Sequence, residues 1–353
     1  MNAPFSPATT RIGVCDFADA ALTARIDAFV AEHDGSLFHL TDWSKAVEQG
    51  TRQEATGLFA ERSGAIAGWL PLTLVHSPLF GRALVSSGFG VGGGPLAVSK
   101  GVAELLCREA ERLALRQSCT DIELRGGDAP AYWHCWDDKH CGFETDLAVD
   151  DEAQLTAIPR KQRAEIRKGL KNDLTVETGR SEADRAAHYA VYAESVHNLG
   201  TPVFPRGLFD AMLDRFADAD ILTVRHEGRP VASVLSFYHG GAVMPYWGGG
   251  TTAARGLRAN ERMYYELMCH ARRKGMARFD FGRSKNGSGP WHYKKNWGFE
   301  PQPLRYAGWT APGHARRDVD PTSAAYSAKI ELWKKLPLGL ANRIGPFIAR
   351  GLA

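Results

Sequence analysis

Two stretches of the chain repeat one succession of hydrophobic and polar positions at a spacing of roughly 160 residues, the size of a domain rather than of a solenoid unit. In the first, Leu58-Phe59-Ala60-Glu61-Arg62-Ser63-Gly64 reads as a strand entering a tight turn, and residues 65–74 return beside it. In the second, Leu222-Thr223-Val224-Arg225-His226-Glu227-Gly228 reads the same way, and residues 230–238 return. Gly64 and Gly228 supply the positive φ that such hairpin turns demand. A further apolar strand follows each hairpin and ends in glycines, Gly92-Gly93-Gly94 and Gly248-Gly249-Gly250.

An amphipathic helix comes next in both halves. One covers residues 102–116, with Leu105, Leu106, Leu113 and Leu115 among its apolar positions; the other covers 261–273, with Met263, Leu267 and Met268. Each runs into a short strand, 121–125 and 278–283. Hairpin, strand, helix, strand is the order of a mixed sheet with a helical crossover. Agreement of four successive elements points to duplication.

Between the halves, residues 160–171 carry Arg160, Lys161, Arg163, Arg167, Lys168 and Lys171, opposed only by Glu165. Pro159 stands where a helix begins, Ile166 and Leu170 face the core, and the arginines and lysines occupy another face. A boundary near residue 150 is expected, giving domains 1–150 and 151–311 and a tail, 312–353. The 353-residue length suits two domains of about 150 residues each.

Composition narrows the classes further. With 44% hydrophobic and 24% charged residues the chain reads as soluble and globular. A net charge of +3 generates no whole-protein field towards nucleic acid, so any polyanion site is local. The six cysteines are scattered without a CxxC pair, which excludes a zinc ribbon or a disulfide framework. Met1-Asn2-Ala3-Pro4-Phe5 opens no signal peptide, and no apolar stretch approaches the roughly 18 residues of a membrane span. The expected compartment is the cytoplasm.

Four stretches carry a family resemblance: Leu37-Phe38-His39-Leu40-Thr41-Asp42-Trp43, the basic helix 160–171, Met244-Pro245-Tyr246-Trp247-Gly248-Gly249, and Phe279-Asp280-Phe281-Gly282 with Trp291-His292-Tyr293-Lys294-Lys295-Asn296-Trp297-Gly298-Phe299. Over about residues 36–308 the chain resembles the Fem-type aminoacyltransferases, which add amino acids to peptidoglycan precursors. It is most similar to the FemAB-like proteins found alongside exosortase and PEP-CTERM systems in exopolysaccharide-producing bacteria. The resemblance implies an α/β (mixed α+β) fold of two tandem GNAT-type acyltransferase domains. It also implies aminoacyl or acyl transfer onto an amine or hydroxyl of a peptidoglycan or exopolysaccharide precursor. The donor is then aminoacyl-tRNA or acyl-CoA, with no tightly bound cofactor.

Such a transfer needs orientation, proton removal and oxyanion stabilisation rather than a covalent nucleophile. None is offered: there is no G-x-S-x-G elbow and no activated cysteine. Lys294 matches the family lysine that supports the reaction centre, and Asp280, at a strand end, either accepts a proton or caps the next turn. The basic helix either holds a diphosphate or tRNA or is a solvated face. Arg206 resembles a family position that meets diphosphate. Tyr246, Trp247 and Tyr293 either wall the substrate cleft or pack in the core.

Gly88-Phe89-Gly90-Val91-Gly92-Gly93 satisfies G-x-G-x-x-G, but Gly94-Pro95 follows instead of a helix start, so dinucleotide binding is not expected. The segment before Asn260 has one glycine, Gly256, and lacks a strict acyl-CoA cradle. The tail mixes Leu332, Trp333, Leu340, Ile344 and Phe347 with Lys334, Lys335, Arg343 and Arg350, broken at Pro337 and Pro346. It either lies on the anionic inner leaflet or packs on the protein itself. Two other readings stay open: an acyl-CoA-dependent acyltransferase of an exopolysaccharide sugar, and a non-catalytic glycan- or peptide-binding module.

Overall fold

In the computed structural model, residues 9–77, 81–316 and 330–352 are described. Residues 1–5 and the part of the tail from 317 to 329 lie outside them. The chain forms two compact units: Met1–Trp136 with Arg305–Asp318 and Gly351–Ala353, and Asp137–Leu304 with Val319–Arg350.

The first unit contains β1 (Arg11–Val14), α1 (Ala20–Glu32) and α2 (Thr41–Thr51). The hairpin β2 (Glu54–Arg62) and β3 (Ala65–Ser77) follows, then β4 (Gly81–Ser86), β5 (Leu96–Ala97), α3 (Lys100–Arg116), β6 (Asp121–Arg125) and β7 (His134–Trp136). Residues 37–39 form a 3₁₀ turn ahead of α2. Trp43 on α2 is fully buried, and its indole N–H donates to the Gly88 carbonyl at 3.0 Å. In α3 the inward face is Val102, Leu106, Ala110 and Leu113, whereas Leu105 and Leu115 point to solvent.

The second unit begins with β8 (His140–Asp146), α4 (Asp151–Ala157), α5 (Arg160–Lys171), β9 (Thr175–Gly179), α6 (Glu182–Asn198) and α7 (Arg206–Arg215). It continues through β10 (Ala219–His226), β11 (Arg229–His239), β12 (Ala242–Gly250), α8 (Ala254–Leu257), α9 (Ala259–Arg273), β13 (Arg278–Asp280), β14 (Ser284–Lys285), α10 (Gly289–Asn296) and β15 (Pro301–Pro303). The chain then returns to the first unit as β16 (Tyr306–Thr310). Among the described residues the first sheet runs β1-β2-β3-β4-β6-β16-β7 with β5 beside β3. The second runs β14-β8-β13-β12-β11-β10-β9 with β15 beside β8.

The expected repeat is present in backbone detail. Ser63 and Gly64 hold φ of +50° and +82°, Glu227 and Gly228 +50° and +74°, the double positive φ of a type I′ turn. Register shifts fall after Ala60 and after Val224, each four residues before its turn glycine. In both units the third strand then pairs in parallel with the strand after the long helix, β4 with β6 and β12 with β13. Met263, Leu267 and Met268 are buried as the helical spacing requires.

The division between units differs from the expected boundary near 150. β8 pairs antiparallel with β13, Phe279 opposite Thr145, and so belongs to the second sheet. β16 pairs with β6, Trp309 opposite Ile122, and so closes the first. Among the described residues no helix is long and apolar enough to cross a membrane.

Candidate functional site

The second unit opens its sheet at one place. β12 is hydrogen-bonded to β11 along its length, but on its other edge it meets β13 only at Ala242–Arg278 and Val243–Phe279. β13 ends at Asp280, and the chain bends away at Gly282, which holds φ +72°. Among the described residues the β12–β13 ladder therefore stops at Val243, short of positions 244–250. A sheet that splays in this way can take an extended ligand along the diverging strand. The register also shifts here: Leu235 faces Trp247 and Ser236 faces Pro245, so Tyr246 is the extra residue of a bulge. Bulges re-aim side chains and suit a proline, whose missing N–H would weaken a regular ladder. Gly249 lies where a Cβ would run into the Ser195 hydroxyl, so glycine there lets α6 approach.

Asp280 and Lys294 stand on the other side of the opening. The Gly282 N–H donates to Asp280 Oδ1 at 2.8 Å. Lys294, on α10, sends its ammonium back to the carbonyls of Gly282 and Arg283, both at 3.0 Å. Among the described residues these are its hydrogen bonds, which leaves one of three N–H groups available. It also lies 5.4 Å from the ring centroids of Phe143 and Phe281. Lys294 is only 8% exposed, and burial pulls its pKa down from 10.5 to about 8, against the opposing pull of Asp280. Burial raises the Asp280 pKa, with the Gly282 N–H acting against it and Glu144 reinforcing it. A carboxylate held up and an ammonium held down are the conditions under which protons move near neutrality.

α10 forms because Ser288 caps its N-terminus, accepting from the Trp291 N–H, and Pro290 sits in its first turn. Its inner side carries Tyr293 and leads to Trp297, which pack with Tyr264 and Phe281 at centroid distances from 6.1 to 6.3 Å. The Tyr293 hydroxyl and Trp297 indole N–H are buried without a hydrogen bond of good geometry, as are Gln162 Nε2 and Asn260 Oδ1. Burial drives the Tyr293 pKa well above 10.0, with Glu261 and Tyr264 adding to it. Burial also raises the carboxyl of Glu261, in the first turn of α9, while its own N–H opposes the shift. Of these, Gln162, Asn260 and Glu261 were not singled out as site residues from sequence. Only the position of Glu261 at a helix start carried a signal.

The remaining candidates separate. Trp247 is buried against Phe209 at 5.1 Å and Phe237 at 6.1 Å and serves as core, whereas Tyr246 is half-buried beside it at 4.7 Å. On α5, Arg160, Lys161, Arg167 and Lys171 are exposed and make no salt bridge among the described residues. Arg163 donates to the Ile158 carbonyl at 3.1 Å, and Lys168 pairs with Glu165 at 2.7 Å. Glu165 also holds Arg258 at 2.5 Å, and Arg258 has a left-handed φ of +56° ahead of α9. Arg206 is engaged by Glu182 and, at 3.4 Å, by Asp210, so its guanidinium is already paired within the protein. Among the described residues no group of three or more His, Cys, Asp or Glu has metal-binding geometry. All six cysteines are free thiols.

In the first unit the corresponding opening is closed by its own chain. Residues 88–94 fold into it, Arg125 donates to the Gly90 carbonyl at 2.6 Å, and the Gly94 N–H donates back to the Arg125 carbonyl at 3.0 Å. Tyr306 adds a bond to the Val91 carbonyl at 2.9 Å. The glycine-rich run is thus a plug, and α3 begins only at Lys100, behind its cap Ser99.

Residues 160–295 match the acetyltransferase (GNAT) domain family. No curated protein matches the chain by sequence. Among solved structures, FemX is similar with TM-score 0.61 and 16% identity, over 81% of this chain and 95% of that one. A tandem GNAT protein from the clavulanic acid biosynthesis pathway gives 0.58 and 12%, over 87% and 100%. The C-terminal domain of a putative lysylphosphatidylglycerol synthetase from Agrobacterium fabrum gives 0.54 and 13%, over 82% and 92%. The fold is two GNAT domains in tandem.

Proposed function

We propose that the protein is an acyltransferase with one reaction centre, in the second unit, between β12 beyond Val243, where it diverges from β13, and the turn after Asp280. The observation that carries this is the asymmetry of the two openings. One is filled by residues 88–94, and the other is lined by a strand edge, a raised carboxyl and a lowered ammonium.

The donor's extended arm pairs with residues 244–250, which brings its carbonyl to the turn at Gly282. The acceptor's amine or hydroxyl attacks the carbonyl carbon, Asp280 takes the proton it sheds, and the carbonyl electron pair moves onto oxygen. The free N–H of Lys294 stabilises that oxyanion. When the tetrahedral species collapses, the C–S or C–O bond to the carrier breaks and the proton held by Asp280 passes to the leaving atom, to which the buried Tyr293 hydroxyl donates a hydrogen bond.

The donor is an aminoacyl ester of tRNA or an acyl-CoA thioester, and the acceptor an amine or hydroxyl of a peptidoglycan or exopolysaccharide precursor. Three considerations support this: the resemblance to Fem-type sequences, the match to an acetyltransferase domain, and a structural neighbour named for lysylphosphatidylglycerol synthesis. The four unpaired cations of α5 hold the phosphates of the carrier or of the precursor. Release of free carrier, measured with each donor class in the presence of nucleotide-linked precursors, tests the reading. Turnover with one class, abolished in Asp280→Asn, is the expected result. Binding of a precursor with no turnover from either donor would make the chain a binding module instead.

A further inference from the structure

The exposed apolar side chains of the second unit are gathered in one place. Among its described residues the large exposed hydrophobics are Val149, Leu199, Leu332, Leu340, Ile344 and Phe347. All but Val149 lie on the C-terminal segment or on the end of α6 that it leans against, where Ile330 packs over Gly200.

The C-terminal helix, Leu338–Ala349, explains why. Ala341, Gly345 and Ala349, spaced by four, are its buried residues, and at Gly345 a Cβ would lie 3.2 Å from the Val203 backbone nitrogen. A stripe of small residues lets the helix lie close on its support. Leu340, Ile344 and Phe347, spaced by four and three, then form an opposite ridge that no described residue of the unit covers, Phe347 being 66% exposed. Helical spacing of this kind makes one continuous face.

Charge distinguishes the possible occupants. From Leu332 to the C-terminus there is no acidic residue, while Lys334, Lys335, Arg343 and Arg350 are present. Lys335 and Arg343 are exposed and make no salt bridge among the described residues, and Arg350 lies over the Phe347 ring at 5.8 Å. Two copies of this ridge face to face would bring like charges together in the isologous contact of a dimer. An anionic lipid surface complements both features, taking the apolar ridge into the acyl boundary and its cations among the headgroups.

We infer that the C-terminal helix is a membrane-surface anchor: Leu340, Ile344 and Phe347 insert at the interface of an anionic bilayer, and Lys335 and Arg343 bind its phosphate headgroups. The inference is independent of the acyl-transfer chemistry, since its test reads binding rather than turnover.

Co-sedimentation with phosphatidylcholine vesicles, with and without phosphatidylglycerol, tests it on the full chain. The wild type is expected to bind the anionic vesicles at least tenfold more strongly, with the difference shrinking as salt rises. Leu340→Ser/Phe347→Ser and Lys335→Glu/Arg343→Glu should each lose at least tenfold, with unchanged melting because these side chains are exposed. Equal binding by wild type and variants, or no preference for anionic vesicles, would overturn it. A wild-type dimer in sedimentation equilibrium that becomes monomeric in Leu340→Ser/Phe347→Ser would overturn it too, assigning the ridge to a second copy.

Discussion

Lys294 and Asp280 hold the two sides of one glycine: Gly282 donates its N–H to Asp280 at 2.8 Å and accepts at its carbonyl from Lys294 at 3.0 Å. The lysine thereby fixes the bend that turns β13 away from β12, as well as placing charge at its mouth. Its replacement should act on both rate and stability. Lys294→Met is expected to lower kcat by about 10²-fold or more, the usual cost of one oxyanion donor. It also leaves two carbonyls without their donor, which should lower the melting temperature. Lys295→Met, at an exposed position, should change neither greatly. Steady-state kinetics and thermal unfolding of the two variants check this.

The pKa of Lys294 gives a pH signature. Its folded value of about 8 lies below the ordinary 10.5, so between those values the unfolded chain holds more protons than the folded one. Stability contributed at this site therefore rises with pH through that window. The stability difference, wild type minus Lys294→Met, should climb above pH 8 with a slope approaching about 1.4 kcal/mol per pH unit. Urea unfolding at pH 7.5 and 9.5 measures it, and a flat difference would show that the ammonium is not buried as described.

Asp280 should set the acid limb of activity. Burial holds its carboxyl above the ordinary 3.8, and the base is active only when ionised. The profile of kcat/KM is expected to fall with acidification at a pH above that value, and Asp280→Asn should remove the limb along with most of the rate. An unaltered limb in Asp280→Asn would assign the proton to another group.

The duplicated hairpins make a paired prediction. Gly64 and Gly228 both hold left-handed φ, and neither has an atom within 4 Å of where a Cβ would stand. Strain without a clash is the whole effect, so Gly64→Ala and Gly228→Ala should each cost about 1–2 kcal/mol in urea unfolding. Unequal costs would mean the two turns are not equivalent.

The cations divide into two groups by their partners. Arg160→Ala, Lys161→Ala and Arg167→Ala remove exposed charges without a salt bridge and should raise KM for a phosphate-bearing substrate, by less as salt increases. Arg206→Ala breaks pairs with Glu182 and Asp210 and should leave KM unchanged. Kinetics at two ionic strengths separate them.

The repeat was legible in the sequence because turn glycines, strand alternation and helical spacing are local properties. The exchange of β8 and β16 between sheets was not, because a strand's pattern fixes its faces and not its neighbour. Asp280 and Lys294 could be picked out, but not the glycine between them, Gly282, nor that Lys294 would lie on a helix and aim back. Arg206 stood in a phosphate-like context, and only the fold shows the two carboxylates that occupy it. Glu261 and Gln162 gain their meaning from burial, which no short window reports.

The location of the reaction centre is open to one direct measurement: hydrogen–deuterium exchange of the full chain with acyl-CoA and with aminoacyl-tRNA. Bound donor should lie along β12 beyond Val243 and slow exchange at residues 244–250 and 281–283, while residues 88–94 of the first unit stay unchanged. Protection confined to residues 88–94, or none with either donor class, would contradict it.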